Sequence, residues 1–373
     1  MGRLASAFAV ALLAATAAPA LPPGPVFHLL TAGRFDRVNA GLAGRLLDFT
    51  NNHGADNRVW SPALGAKRSA YVYLPPGYDG VQCFPAGLWL HALGQDEQGF
   101  VEVAQRFDTA IRSGLLPPMI LAAPDGSIPG VPTLVRTGSF YVNSAAGRYE
   151  DATIQDVWHG FVCGRFRVKP GRENHFLAGA SMGGFGAFSL GFKHKPEFGL
   201  LAGVFPPLDM TYADCHGHYL GAFDPLCRGM RTDFPRNEVV GRFSNGLIQV
   251  RSRRLTDPLV GKRADPATVA AFIRSVNPAD QLDACAVQPG EFALFVGYGT
   301  RDEFNCGAQT ESFADRCRRR GFAPDLVVIP DGKHNKDTAR ALFPPVVDWL
   351  RTHLPADTTP EADSPLVVPH ANR

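Results

Sequence analysis

A serine flanked by glycines, Gly179-Ala180-Ser181-Met182-Gly183, follows the apolar run Phe176-Leu177-Ala178 and leads into Gly184-Phe185-Gly186-Ala187. The order of strand, Gly-x-Ser-x-Gly and helix predicts a sharp turn that presents Ser181 as a nucleophile. Such a serine sits in a strained backbone conformation, so the residues two before and two after it must be small. Gly179 and Gly183 fill those places. The first amides of the following helix carry partial positive charge. The Met182 N–H is therefore an expected donor to the oxyanion that forms when Ser181 attacks a carbonyl carbon. In a chain with 39 glycines the motif alone is a common accident, and the flanking strand and helix give it its weight.

A serine hydroxyl is a weak nucleophile near neutral pH, so it needs a base to take its proton and a carboxylate to orient that base. Behind an elbow of this kind the acid and then the histidine follow in chain order, each on a loop after a strand. The apolar run 292–298 ends in Gly299-Thr300-Arg301-Asp302-Glu303, which makes Asp302 the acid candidate, with Glu303 behind it. A solvated turn aspartate is the plainer reading of the same residue. The run 326–329 leads through Pro330-Asp331-Gly332-Lys333 to His334, the candidate base. His175, His194, His353 and His370 sit at a strand edge, helix ends or the tail and lack that placement. Leu90-His91-Ala92-Leu93-Gly94 follows an early strand, and the Leu93 N–H is the expected second oxyanion donor.

Those loops need a scaffold. Apolar runs at 70–74, 87–90, 119–123, 176–180, 200–205, 292–298 and 326–329 alternate with helical patterns at 99–112, 150–165, 266–276, 309–320 and 338–354, besides the helix after Ser181. This alternation predicts an α/β fold, a mostly parallel central sheet with helices on both faces. Functional groups in such sheets gather at the carboxyl ends of the strands. Residues 21–66 show little periodic pattern and are expected to be an N-terminal extension to a domain spanning 67–354. Strand signal is scarce over 209–290, the mark of a lid-like insertion. The tail 355–373 is rich in Pro, Asp and Thr and is expected to be disordered.

Charged residues are 19% of the chain, the formal net charge is +2 and no basic run stands out, which argues against a nucleic-acid partner. The segment 1–20 begins Met1-Gly2-Arg3, continues apolar, and ends Ala18-Pro19-Ala20, the pattern of a cleaved signal peptide. A secreted or periplasmic protein without stable membrane insertion is expected, since the run is shorter than the roughly 20 residues a bilayer requires. In an oxidising compartment some of the seven cysteines should pair, and Cys215 with Cys227 is the candidate bridge. Cys215-His216-Gly217-His218 lacks a second ligand pair at zinc-like spacing, so neither a metal nor another cofactor is expected.

Taken together, these segments resemble the esterase D group of α/β-hydrolases, which includes feruloyl and acetyl-xylan esterases, S-formylglutathione hydrolase, siderophore esterases and secreted mycolyltransferases. Tyr71-Val72-Tyr73-Leu74-Pro75-Pro76-Gly77-Tyr78 looks like the opening strand of that family, and His91-Ala92-Leu93-Gly94 like its His-Gly-x-Gly oxyanion loop, with Ala92 in place of a glycine. Gly179 to Ala187 resembles the elbow, and Gly299-Thr300-Arg301-Asp302-Glu303 and Gly332-Lys333-His334-Asn335 the acid and histidine loops. The resemblance implies Ser181 as nucleophile, Asp302 as orienting acid, His334 as general base and the Leu93 and Met182 amides as donors. His91, Tyr141 and Asn143, with Ser144 beside them, are expected near the substrate. The activity implied is that of a serine carboxylesterase acting on a small-molecule or polysaccharide ester, such as a carbohydrate-linked acyl or feruloyl ester. Acyl transfer to a sugar or alcohol acceptor, and a binding module with little activity, are the competing readings.

Overall fold

The computed structural model describes residues 35–129, 137–227 and 229–355. The signal peptide expected over 1–20 lies outside the described residues, as does all but the first residue of the expected tail.

Eight strands form the central sheet: β1 (Arg45–Phe49), β2 (Ala70–Leu74), β3 (Ala86–Leu90), β4 (Ile120–Pro124), β5 (His175–Ala180), β6 (Leu200–Val204), β7 (Ala293–Gly299) and β8 (Asp325–Ile329). They lie side by side in the order β1-β2-β4-β3-β5-β6-β7-β8. β2 is antiparallel to both its neighbours, and every pair from β4 to β8 is parallel. The mostly parallel sheet expected from the alternation of strands and helices is therefore present.

The helices are α1 (Phe100–Arg112), α2 (Tyr149–Asp151, continuing as a π-helix over Ala152–Cys163), α3 (Met182–Lys193), α4 (Ser252–Val260), α5 (Pro266–Val276), α6 (Pro278–Ala284), α7 (Cys306–Arg319) and α8 (Lys336–His353). Successive strand residues point to opposite faces, and here both faces are covered. Leu177, Leu201 and Val296 pack with Trp158 of α2 and with Phe185 and Phe188 of α3. Phe176, Ala202 and Phe295 pack on the other side with Phe107 of α1 and with Leu342 and Leu350 of α8. Burial on two faces removes the polar half of the strand pattern, which is why these strands read as unbroken apolar runs.

The strand β1 falls inside 21–66, where the sequence shows no period, so the sheet begins earlier than that reading places it. Only Leu46 of β1 is buried. Its docking depends instead on Asp108 of α1, a buried carboxylate that accepts from the Gly44 and Ala43 amides at 2.8 and 3.1 Å and from the Tyr73 hydroxyl at 3.0 Å.

Residues 209–290 are more ordered than the scarce strand signal suggests. They form two short hairpins, Tyr212–Ala213 with Gly229–Met230 and Val239–Phe243 with Ile248–Arg251, followed by α4, α5 and α6. Cys215 and Cys227 are joined by a disulfide in the loop of the first hairpin, as expected. Among the described residues no helix is long and apolar enough to cross a membrane.

Candidate active site

β5 delivers Ser181 to the carboxyl end of the sheet. Its backbone stands at φ 52°, ψ −116°, and its amide donates to the Val204 carbonyl at the end of β6, at 2.8 Å. A non-glycine residue rarely holds a positive φ, and the hydrogen bonds on either side enforce it here, Phe185 N–H donating back to the Ser181 carbonyl at 2.9 Å. The flanking glycines are required by space. A Cβ on Gly183 would lie 1.8 Å from the Leu90 carbonyl oxygen, and one on Gly179 would lie 2.6 Å from the same oxygen.

The loops after β7 and β8 are zipped together. Arg301 N–H donates to the Gly332 carbonyl at 2.9 Å, Asp331 N–H to Thr300 Oγ1 at 2.9 Å, and Thr300 N–H to the Ile329 carbonyl at 3.1 Å. Gly299 and Gly332 touch so closely that a Cβ on Gly299 would fall 2.2 Å from the Gly332 oxygen. This pairing brings His334 to Asp302. His334 Nδ1 lies 2.7 Å from Asp302 Oδ2, and His334 Nε2 lies 2.8 Å from Ser181 Oγ. The other Asp302 oxygen accepts the amides of Phe304 and Cys306 at 2.9 and 3.2 Å, so the carboxylate is fully engaged and its Oδ2 is aimed at the ring. Glu303 takes a different part, its carboxylate accepting the His334 backbone N–H at 2.7 Å.

Two aromatic rings that the sequence reading did not single out hold the imidazole. Phe205, just past β6, and Phe304, two residues past Asp302, have ring centroids 4.4 and 4.8 Å from that of His334. Their positions after strand ends were visible in the sequence; their packing was not. Cys306 was also missed. Its sulfur lies 4.0 Å from His334 Nδ1, and burial, reinforced by the neighbouring Asp302 carboxylate, pushes its thiol well above the ordinary range, so it stays protonated.

The loop after β3 faces the elbow. Leu93 and Met182 side chains meet over Gly138, where a Cβ would stand 2.9 Å from Leu93 Cδ1 and 2.1 Å from Met182 Sδ. No hydrogen bond among the described residues takes up the Leu93 N–H, and Met182 opens α3, where a helix leaves its first amides unpaired. Ala92 keeps a negative φ, and the left-handed position is Gly94 at φ 82°. The residue that replaces the family glycine thus sits in ordinary backbone.

His91, Tyr141 and Asn143 do not line the cavity at Ser181. His91 is 3% exposed; its Nε2 accepts the Gly126 amide at 2.8 Å, so Nδ1 carries the proton and donates to the Ala92 carbonyl at 2.9 Å. Tyr141 is fully buried, and its hydroxyl accepts the His91 amide at 2.8 Å. Both brace the loop from behind, because a buried polar group needs a partner. Asn143 is exposed and accepts from the Asp151 amide at 3.2 Å. Ser144 Oγ accepts the Ala146 amide at 3.2 Å and does not line the cavity either.

Beside this loop Glu97 is buried, with Asn52 Nδ2 donating to it at 2.7 Å. Burial, then the charges of Asp125 and Asp96, push its carboxyl up from 4.5 to about 7. A carboxyl whose folded pKa is raised binds its proton more tightly in the folded state, so stability falls as pH rises from the unfolded value to about 7. Glu97→Gln is expected to match the wild type in thermal melts at about pH 4, below the unfolded value, and to exceed it at pH 8 by up to about 3 kcal/mol. Equal melting curves at pH 8 would refute the buried-carboxyl argument.

A cavity of about 490 Å³ opens over Ser181. Phe140, Phe185 and Phe205 line it, and the inserted segment adds a wall of Phe234, Val240, Phe272 and Ile273. Arg231, also in that wall, is neutralised by Glu238 and lies over the Tyr219 and Phe234 rings at 4.6 and 4.7 Å.

The Esterase family model, described as "Putative esterase", matches residues 61–284, a span that contains Ser181 and ends before Asp302 and His334. Among solved structures the chain is similar to an S-formylglutathione hydrolase of Agrobacterium tumefaciens, at 16% identity over 84% of this chain and 97% of that one, with a TM-score of 0.60. It is similar also to a ferulic acid esterase of Anaeromyces mucronatus in complex with ferulic acid (17% identity, 83% and 90% covered, TM-score 0.51). A third is a fluorophosphonate-binding serine hydrolase of Staphylococcus aureus (17% identity, 83% and 98% covered, TM-score 0.54). At these identities the likeness is one of fold. With more than half of its length inside the family match, the chain belongs to the Esterase family of α/β-hydrolases and is a serine hydrolase of carboxylic esters.

Proposed function

We propose that Ser181 is the nucleophile, His334 the general base and Asp302 the orienting acid of an exported carboxylesterase that works through an acyl-enzyme. The observation that carries this reading is the continuous chain Ser181 Oγ, His334 Nε2, His334 Nδ1, Asp302 Oδ2, with steps of 2.8 and 2.7 Å. The hydroxyl proton passes to Nε2 as Oγ attacks the ester carbonyl carbon, and the Leu93 and Met182 amides receive the oxyanion. Collapse of the tetrahedral intermediate expels the alcohol, which takes the proton back from His334. Water, deprotonated by the same nitrogen, then frees the acid and restores Ser181. His91 and Tyr141 serve this cycle by bracing the Leu93 loop.

The wall of the cavity selects the acyl side of the ester. Phenyl and branched aliphatic groups dominate it, which favours a bulky apolar acyl group, either a hydroxycinnamoyl ring or an alkanoyl chain. Each buried methylene is worth about 0.8 kcal/mol, close to fourfold in affinity. kcat/KM for p-nitrophenyl esters is therefore expected to climb from acetate through butyrate to octanoate. A series in which acetate equals or exceeds octanoate would remove the cavity from acyl binding.

A further inference from the structure

Residues 236–263 carry seven basic and two acidic side chains, a formal +5 in a chain whose total is +2. Both carboxylates are engaged, Glu238 by Arg231 and Asp257 by Arg236. Arg242, Arg251, Arg253, Arg254, Lys262 and Arg263 have no carboxylate partner among the described residues. Cations gathered this densely repel one another, and an anionic partner relieves the repulsion.

The same segment exposes apolar surface where it meets the cavity. In the hairpin Val239–Phe243 with Ile248–Arg251, Phe243 pairs across with Ile248 and Arg242 with Gln249. Phe243, Ile248 and Val250 line the cavity, while Arg242 and Gln249 are exposed. At the tip Leu247 is 88% exposed and Ile248 58% exposed. Ile248 belongs to both surfaces and so links the exposed hairpin tip to the cavity above Ser181. Arg254 is likewise exposed and part of the cavity rim.

We propose that this hairpin and its flanking arginines dock the protein on an anionic lipid layer, from which acyl esters enter the cavity. The proposal rests on the reading of that cavity as the acyl site. Leu247 and Ile248 reach into the apolar boundary of the layer while the guanidinium groups meet the anionic headgroups, the usual division of labour in interfacial binding. An acyl chain can then pass from lipid to Phe243 and Val250 without crossing water, which removes the cost of exposing it.

The test is sedimentation of the full chain with vesicles of phosphatidylcholine, with or without phosphatidylglycerol. The wild type is expected to sediment with the phosphatidylglycerol vesicles, less so as salt is raised, and not with phosphatidylcholine alone. Leu247→Ser should weaken the partition about tenfold, and Arg242→Ser and Arg253→Ser about fivefold each. None of these three residues lines the cavity, so turnover of dispersed p-nitrophenyl butyrate should be unchanged in each variant, which also shows that it is folded. Absence of sedimentation, or sedimentation indifferent to phosphatidylglycerol and to Leu247→Ser, would overturn the proposal. So would a dimer in solution that Leu247→Ser dissociates while vesicles remain unbound. Running Ser181→Ala in parallel separates the two readings, because vesicle binding does not depend on turnover.

Discussion

Ser181→Ala is expected to lower kcat by on the order of 10⁶-fold and Asp302→Asn by about 10⁴-fold, the losses usual when a serine nucleophile or its orienting acid is removed. The structure gives the second number a local cause. Asp302 Oδ1 accepts two backbone amides, from Phe304 and Cys306. An asparagine must keep its carbonyl oxygen on those amides, which turns its NH₂ toward His334 Nδ1. That nitrogen would then have to accept, placing the imidazole proton on Nε2, where it can no longer take the Ser181 proton. Glu303→Gln retains an acceptor for the His334 amide. It exchanges a charge-assisted bond for a neutral one, worth about 1 kcal/mol, so its kcat should stay within about tenfold of the wild type. A steady-state comparison of the three variants decides which carboxylate orients the histidine. Loss of activity in Glu303→Gln with Asp302→Asn unaffected would reverse the assignment.

Gly183→Ala should damage the site from the opposite direction, although it adds a single methyl group. That methyl would occupy the space 1.8 Å from the Leu90 oxygen and 2.9 Å from the His91 oxygen. Both neighbours are backbone, so no side chain can rotate away, and the end of β3 must move. The Leu93 loop begins there, so the displacement carries with it the amide proposed as an oxyanion donor. A misplacement of about 1 Å, or the loss of one such donor, costs roughly 10²- to 10³-fold in rate. Overpacking of this kind should also remove about 1–3 kcal/mol of stability. A variant that melts and turns over like the wild type would show that the elbow and the Leu93 loop are not coupled through Leu90.

The meeting of Asp302 and His334 beside Ser181 was legible because each lies on a loop straight after an apolar run, and the topology of a parallel sheet gathers such loops at one end. The elbow glycines were legible for a steric reason that needs only two neighbours. Parts of the structure built from long-range packing were not. Strand β1 alternates weakly because one of its five residues is buried, and its anchor, Asp108, lies 64 residues from Gly44 in the chain. His91 and Tyr141 look like substrate-binding residues by type, yet each has its hydrogen-bonding capacity consumed beneath the loop. The apolar wall over Ser181 draws on short hairpins and on α5, whose residues meet only after the sheet has formed. Local sequence therefore announces the chemistry, while tertiary contacts decide what the chemistry is applied to.

Reaction of the full chain with a fluorophosphonate, followed by peptide mapping, tests the central claim most directly. A phosphonyl adduct is predicted on Ser181 alone, absent from Ser181→Ala and strongly slowed in Asp302→Asn. An adduct on another residue, or no adduct in protein that still turns over p-nitrophenyl esters, would contradict it.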